Sequence, residues 1–148
     1  MDWTSILVGF VVGVLSTILT YEYRRWRERK TRISERRSQV VEQLSSELNK
    51  VITKWKFFKN TEEYHYDPGL TDFQNELGLL SDSLLDMVSR YEKLIPKNVY
   101  KEIVEVSGGL SKLSQHKFWV NGGRSWEAFL NEGDRLVEQC EKLKQRLS

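Results

Sequence analysis

The sequence predicts an all-α protein, an N-terminal single transmembrane helix continuing into an antiparallel, up-down four-helix bundle. Three observations predict it. The stretch from Trp3 to Tyr21 carries no charged side chain. Four later stretches place apolar residues at alternating spacings of three and four, the period of one helix face. Only two prolines occur in 148 residues, and proline is the residue that breaks helix interiors, because it lacks a backbone donor and clashes with the preceding turn.

The apolar stretch reads WTSILVGFVVGVLSTILTY. As a helix it is about 28 Å long, close to the hydrocarbon thickness of a bilayer. Trp3 marks one interface, and Tyr21, Tyr23 and Trp26 mark the other, where amphipathic rings settle among headgroups. A cleaved signal peptide would carry positive charge before its apolar run and a small-x-small site after it. Here the positive charge follows the run and no such site closes it, so an uncleaved anchor is expected.

Arg24, Arg25, Arg27, Arg29, Lys30, Arg32, Arg36 and Arg37 follow, opposed only by Glu28 and Glu35, for a local net charge of +6. Residues 38–148 carry 15 basic and 17 acidic side chains, a net charge of −2. The basicity is therefore a collar beside the anchor and not a face spread over the domain, so no nucleic acid is expected as a partner. Positive flanks stay inside. The expected location is the cell (inner) membrane, with the N-terminus outside and the large domain cytoplasmic; a mitochondrial outer-membrane anchor would read alike. Arg24, Arg25, Arg27, Arg29, Lys30 and Arg32 are candidates for setting this topology and for contact with anionic lipid, since each charge near such a surface contributes about 1 kcal/mol.

Ser5, Gly9, Gly13 and Thr17 recur at every fourth position of the anchor. Small side chains let two helix backbones approach closely, so this stripe is the candidate surface for a homo-oligomer, most simply a dimer. The competing reading is that glycine is common in membrane helices.

The expected organisation is an anchor over 1–23, a basic juxtamembrane stalk over 24–37 and a cytoplasmic helical bundle over 38–148. The first apolar face runs through Val41, Leu44, Leu48, Val51, Trp55 and Phe58. The second uses Phe73, Leu77, Leu80, Leu84, Met87, Tyr91 and Leu94, and the third Val99, Ile103, Val106, Leu110 and Leu113. The fourth uses Trp126, Leu130, Gly133, Val137, Cys140, Leu143 and Leu147, widened by Phe129 and Leu136. Asp67-Pro68-Gly69 signals a turn, and Thr71 with Gln74 reads as a capping box opening the second helix. Pro96 marks a helix boundary, Asn121-Gly122-Gly123 breaks the chain, and Ser125 can cap the last helix. Gly108-Gly109 inside the third pattern predicts a kink or an early stop. The first helix is expected to continue from the membrane span. Its residues 24–58 would measure about 52 Å against about 36 Å for 71–94, which leaves a stalk beneath the bundle.

Up-down topology brings the first and third connections to the same, membrane-distal end. Phe57, Tyr64, Tyr66, Phe118 and Trp119 lie there off the apolar faces, and aromatic side chains are frequent anchors of protein interfaces. Two readings stand: a partner-binding tip, or rings folded back over the open end of the bundle.

Motifs that carry chemistry are missing. His65 and His116 show no ligand spacing, which predicts solvated loop histidines and no metal site. Gly108-Gly109 and Gly122-Gly123 lack the lysine and hydroxyl of a phosphate loop, and no Gly-x-Ser-x-Gly elbow occurs. The one cysteine, Cys140, falls on an apolar face and reads as a core thiol. No catalytic residue and no cofactor is expected. The sequence therefore points to a membrane-tethered protein-interaction module, a scaffold or adaptor, whose partners are the lipid bilayer, further copies of itself and a cytoplasmic protein. The alternative is an oligomeric membrane effector or pore-forming protein gated by its helical domain. The outline of anchor, arginine cluster and helical tail looks like that of many small bacterial or archaeal inner-membrane proteins. That likeness follows from the rules of membrane insertion and implies nothing about activity.

Overall fold

In the computed structural model, which describes residues 2–118 and 123–148, the chain forms four α-helices and, among the described residues, no strand. Helix α1 spans Trp3–Asn60, α2 Gly69–Arg90, α3 Lys97–Ser114 and α4 Gly123–Leu147, with short 3-10 turns at Glu62–His65 and Glu92–Leu94. Contacts divide the chain into two compact units, Met1–Ser38 and Gln39–Ser148.

The first unit is helix alone. Every described side chain from 2 to 38 is exposed. The hydroxyls of Thr17, Thr20 and Thr31 donate to the carbonyls of Gly13, Ser16 and Arg27, at 2.9, 2.8 and 3.0 Å. These hydroxyls thereby find partners within their own helix, which for Thr17 and Thr20 of the apolar run is what an apolar solvent would demand. The helix is long and apolar enough to cross a membrane.

The second unit holds the hydrophobic core. Leu44, Leu48, Val51, Trp55 and Phe58 of α1 pack with Phe73, Leu77, Leu84 and Val88 of α2, Ile103, Val106, Leu110 and Leu113 of α3, and Phe129, Leu136, Cys140 and Leu143 of α4. Each leucine or phenylalanine so buried contributes about 1.5–3 kcal/mol. The expected third face is buried throughout, but the first two are rotated slightly. Val40, not Val41, is buried, and Ser81 and Val88 lie deeper than Leu80 and Met87, which are half-buried. Serine sits there because α2 and α3 approach closely. The Ser81 hydroxyl donates to the Ser107 carbonyl at 2.8 Å, and the Ser107 hydroxyl donates to the Ser81 carbonyl at 2.9 Å. A larger side chain would hold the two backbones apart.

Three local expectations are corrected. Helix α3 does not stop early but continues through Gly108-Gly109 to Ser114. Gly109 is buried, and a Cβ on it would lie 2.5 Å from Leu136 Cδ2. Packing against α4 thus holds the helix together where propensity alone would weaken it. Helix α2 begins at Gly69, ahead of the supposed capping box. Thr71 donates to Asp67 Oδ1 at 2.6 Å, while the Gln74 amide turns away and donates to the carbonyls of Leu113 and His116, both at 2.9 Å. Gln74 therefore caps the C-terminal end of α3 and not the start of its own helix. Ser125 lies inside the first turn of α4, its hydroxyl donating to the Lys117 carbonyl at 3.3 Å. Of the Asn121-Gly122-Gly123 break, Asn121 and Gly122 lie outside the described residues.

Candidate functional surfaces

The basic collar lies wholly in α1. Helical periodicity gathers Arg25, Arg29, Arg32 and Arg36 on one strip and Tyr23, Trp26, Arg27 and Lys30 on another. All are exposed. Among the described residues none of the eight basic side chains makes an ion pair, so their charges face solvent. The Lys30 ammonium stands 5.0 Å from the centre of the Trp26 ring, a cation–π distance, and the Tyr23 and Trp26 rings are 6.1 Å apart. Beside them Thr31 and Ser34 are small enough to leave a groove.

In the anchor, a Cβ added to Gly9 or Gly13 would meet nothing within 4 Å. These glycines and Thr17 floor a shallow groove flanked by Phe10, Val14 and Ile18. Ser5 continues the stripe on the exposed helix surface.

At one end of the second unit, rings from the first and third connections meet. His65 packs 5.1 Å from Phe58 and 5.3 Å from Trp126, and its Nε2 lies 2.9 Å from the Phe58 carbonyl. His116 packs 4.7 Å from Phe118 and 5.4 Å from Phe129, with Nε2 2.9 Å from the Ser125 hydroxyl and 3.0 Å from its carbonyl. Both histidines are half-buried members of an aromatic cluster, which corrects their reading as solvated. Each ties a loop to a helix end. Of the five off-face aromatics, Phe118 covers the cluster, half-buried at 5.0 Å from Phe129 and 5.5 Å from Trp126. Tyr64 is half-buried and meets Phe57 edge-on at 5.5 Å. Phe57 and Tyr66 remain 55% and 73% exposed, which separates them from the rings that cap the core. Trp119 lies outside the described residues.

Two of the groups with shifted acidities in the second unit, Asp134 and Cys140, bear on the packing of its core. Burial alone would raise the pKa of Asp134, but hydrogen bonds from the Trp55 indole at 2.8 Å and from Lys59, together with the Lys59 charge, hold it below the ordinary value. Burial pushes the Cys140 thiol up to about 12, so it is an unreactive core group and not a nucleophile. Among the described residues no three His, Cys, Asp or Glu side chains gather as metal ligands.

Compared with models of known protein families, with curated proteins and with solved structures, the chain matches none. Pattern reading gave Gln74 a cap on its own helix and missed Asp134 altogether, because the partner of each lies far away in sequence and no local spacing announces it. Trp55 and Lys59 stand four apart on one helix face, the one trace in sequence of the Asp134 site.

Proposed function

We propose that the chain is a single-pass membrane protein that tethers a helical interaction module to the cell (inner) membrane, its N-terminus outside and its second unit cytoplasmic. One observation carries this reading: the first part of α1, from Trp3 to Tyr21, carries no charged side chain on any side, and its side chains are exposed throughout. In water such a surface is unfavourable by about 25 cal/mol for each Å² left exposed, whereas in lipid it is solvated. The uncompensated collar supports the orientation, since arginines and lysines beside a span remain on the cytoplasmic side.

The cytoplasmic unit is an up-down bundle of antiparallel neighbours. Support comes from side-chain pairs in which residue numbers rise on one helix as they fall on the next. Glu47 and Lys54 of α1 meet Ser83 and Glu76 of α2, and Gln74 and Ser81 of α2 meet Leu113 and Ser107 of α3. Glu102 and Gly109 of α3 meet Arg146 and Leu136 of α4, and Asn49 and Lys59 of α1 meet Lys144 and Asp134 of α4. The bundle presents Phe57, Tyr64 and Tyr66 to a protein partner, and the stripe of Ser5, Gly9, Gly13 and Thr17 pairs copies of the anchor. Catalysis and a cofactor form no part of this reading.

The test is crosslinking in intact cells, mild detergent extraction and mass spectrometry of what is retained. Phe57→Ala with Tyr66→Ala removes two exposed rings without touching the core. Loss of a reproducible partner in this variant, with its melting unchanged, supports the module. Recovery of the protein alone from wild-type cells overturns it, and leakage from vesicles holding the protein would then establish the pore-forming alternative.

A further inference from the structure

We infer that Tyr23, Trp26, Arg27 and Lys30 form a headgroup site for an anionic phospholipid on one quadrant of α1. The inference rests on the membrane reading above and adds to it a defined ligand and place.

Four features converge on that quadrant. The first is depth. Tyr23 and Lys30 lie about 3 and 13 Å along the helix axis beyond Tyr21, the last residue of the uncharged run. The headgroup layer of one leaflet is about 5–8 Å thick, so Trp26 and Arg27 fall within it or at its outer edge, and the long Lys30 stem can reach back toward it. The second is chemistry. The Arg27 guanidinium can take a phosphodiester through two parallel hydrogen bonds, and the Lys30 ammonium supplies a second positive charge one turn away. The third is the aromatic edge. Tyr23 and Trp26 are ring types that settle at the glycerol level with an apolar body and a polar tip. The fourth is space, since Thr31 and Ser34 beside Lys30 leave a groove that larger side chains would close. No carboxylate satisfies either cation: among the described residues neither Arg27 nor Lys30 is paired, and Glu35 at the far edge of the groove bonds neither.

The other strip, Arg25, Arg29, Arg32 and Arg36, is the natural comparison. It carries more charge, but it is about 17 Å long, so its outer rungs stand beyond the headgroup layer of an upright helix. Tyr21 stands one turn before Arg25 on this strip, but among the described residues the strip has no counterpart of the cation–π contact between Lys30 and Trp26. Its charge acts on the membrane diffusely, within a Debye length of about 8 Å.

The experiment uses the full chain, extracted in mild detergent and incubated with phosphatidylglycerol or phosphatidylcholine. Retained lipid is counted by native mass spectrometry. Wild type should keep phosphatidylglycerol in preference to phosphatidylcholine. Arg27→Gln with Lys30→Gln should weaken that retention about tenfold or more, and Arg32→Gln with Arg36→Gln, which removes the same charge, should change it less than twofold. Equal loss in both variants would overturn the site in favour of diffuse attraction, and equal retention of the two lipids by wild type would overturn it outright. Retention of phosphatidylglycerol that inorganic phosphate displaces completely would also overturn it, because the site would then hold a free anion. An alkaline wash of cell membranes separates the two levels. Release of the wild-type chain by the wash defeats the membrane reading itself, whereas a chain that stays in the membrane and ignores lipid charge defeats the headgroup site alone.

Discussion

Gly108 and Gly109 are neighbours in α3 with opposite surroundings. A Cβ on Gly108 would meet nothing within 4 Å, and one on Gly109 would press on Leu136. In α4, a Cβ on Gly133 would overlap the Trp55 indole, which is itself buried and fixed by its hydrogen bond to Asp134. Gly108→Ala should therefore stabilise the second unit by about 0.5–1 kcal/mol through the helix propensity of alanine. Gly133→Ala should destabilise it by about 1–3 kcal/mol, because a rigid ring cannot move aside as a leucine methyl can. Urea melts of the two variants check both signs; a harmless Gly133→Ala would mean that the indole is not seated there. Asp134 bears on pH in the same way. Its folded pKa is lowered, so its contribution is present above the unfolded value of about 3.9 and is lost as pH falls through the folded value. The carboxylate is half-exposed, so solvent screens the Lys59 charge and the indole hydrogen bond is the larger part. Asp134→Asn should be less stable than wild type by about 1 kcal/mol at pH 7, and the gap should shrink by about pH 3. A gap of the same size at both pH values would show that ionisation of this carboxylate contributes nothing.

Between elements, the contrast of α3 with α2 shows what a helical period can and cannot reveal. All five apolar positions expected on α3 are buried. On α2 the period is right but its centre is displaced, because a hydroxyl, Ser81, occupies the middle of the contact with α3. Apolar spacing locates a buried face only when that face is filled by apolar residues, and a close helix pair is filled by small ones. Helix ends carry the same lesson. The Thr71 and Gln74 spacing satisfies the local rule for a cap, yet the Gln74 amide finds carbonyls on another helix, and only the assembled fold supplies them. Gln74→Ala should take its side-chain donor from the His116 carbonyl and leave the Leu113 carbonyl to backbone amides alone at the end of α3. The expected cost is about 1–2 kcal/mol, with faster hydrogen exchange at the amides of Gln115 and His116, which close that turn. Unchanged exchange there would mean that the cap does not hold the helix end.

At the scale of the molecule, the all-helical class and the long apolar helix were legible because both follow from composition and period. The two histidines were not, since their burial depends on Phe58, Trp126 and Phe129 converging from distant parts of the chain. The surface of the apolar run is legible in a different sense: its described side chains are exposed throughout, so sequence and structure describe the same stripe. That makes the stripe a clean place to test self-association. Gly9→Ile with Gly13→Ile fills the shallow groove with branched side chains, which hold a second backbone away and remove the close packing that joins membrane helices. Self-association of the full chain in bilayers, read as energy transfer between labelled copies, should weaken on the order of tenfold, or about 1.4 kcal/mol. Both substitutions lie in the first unit and the core belongs to the second, so thermal unfolding of the second unit should stay unchanged. Unweakened energy transfer with unchanged unfolding would remove the stripe as the contact between copies and leave the glycines as ordinary residues of a membrane helix. Loss of energy transfer accompanied by a lower melting temperature would show instead that pairing of the anchors also stabilises the bundle, as mass action requires when only the folded unit can pair.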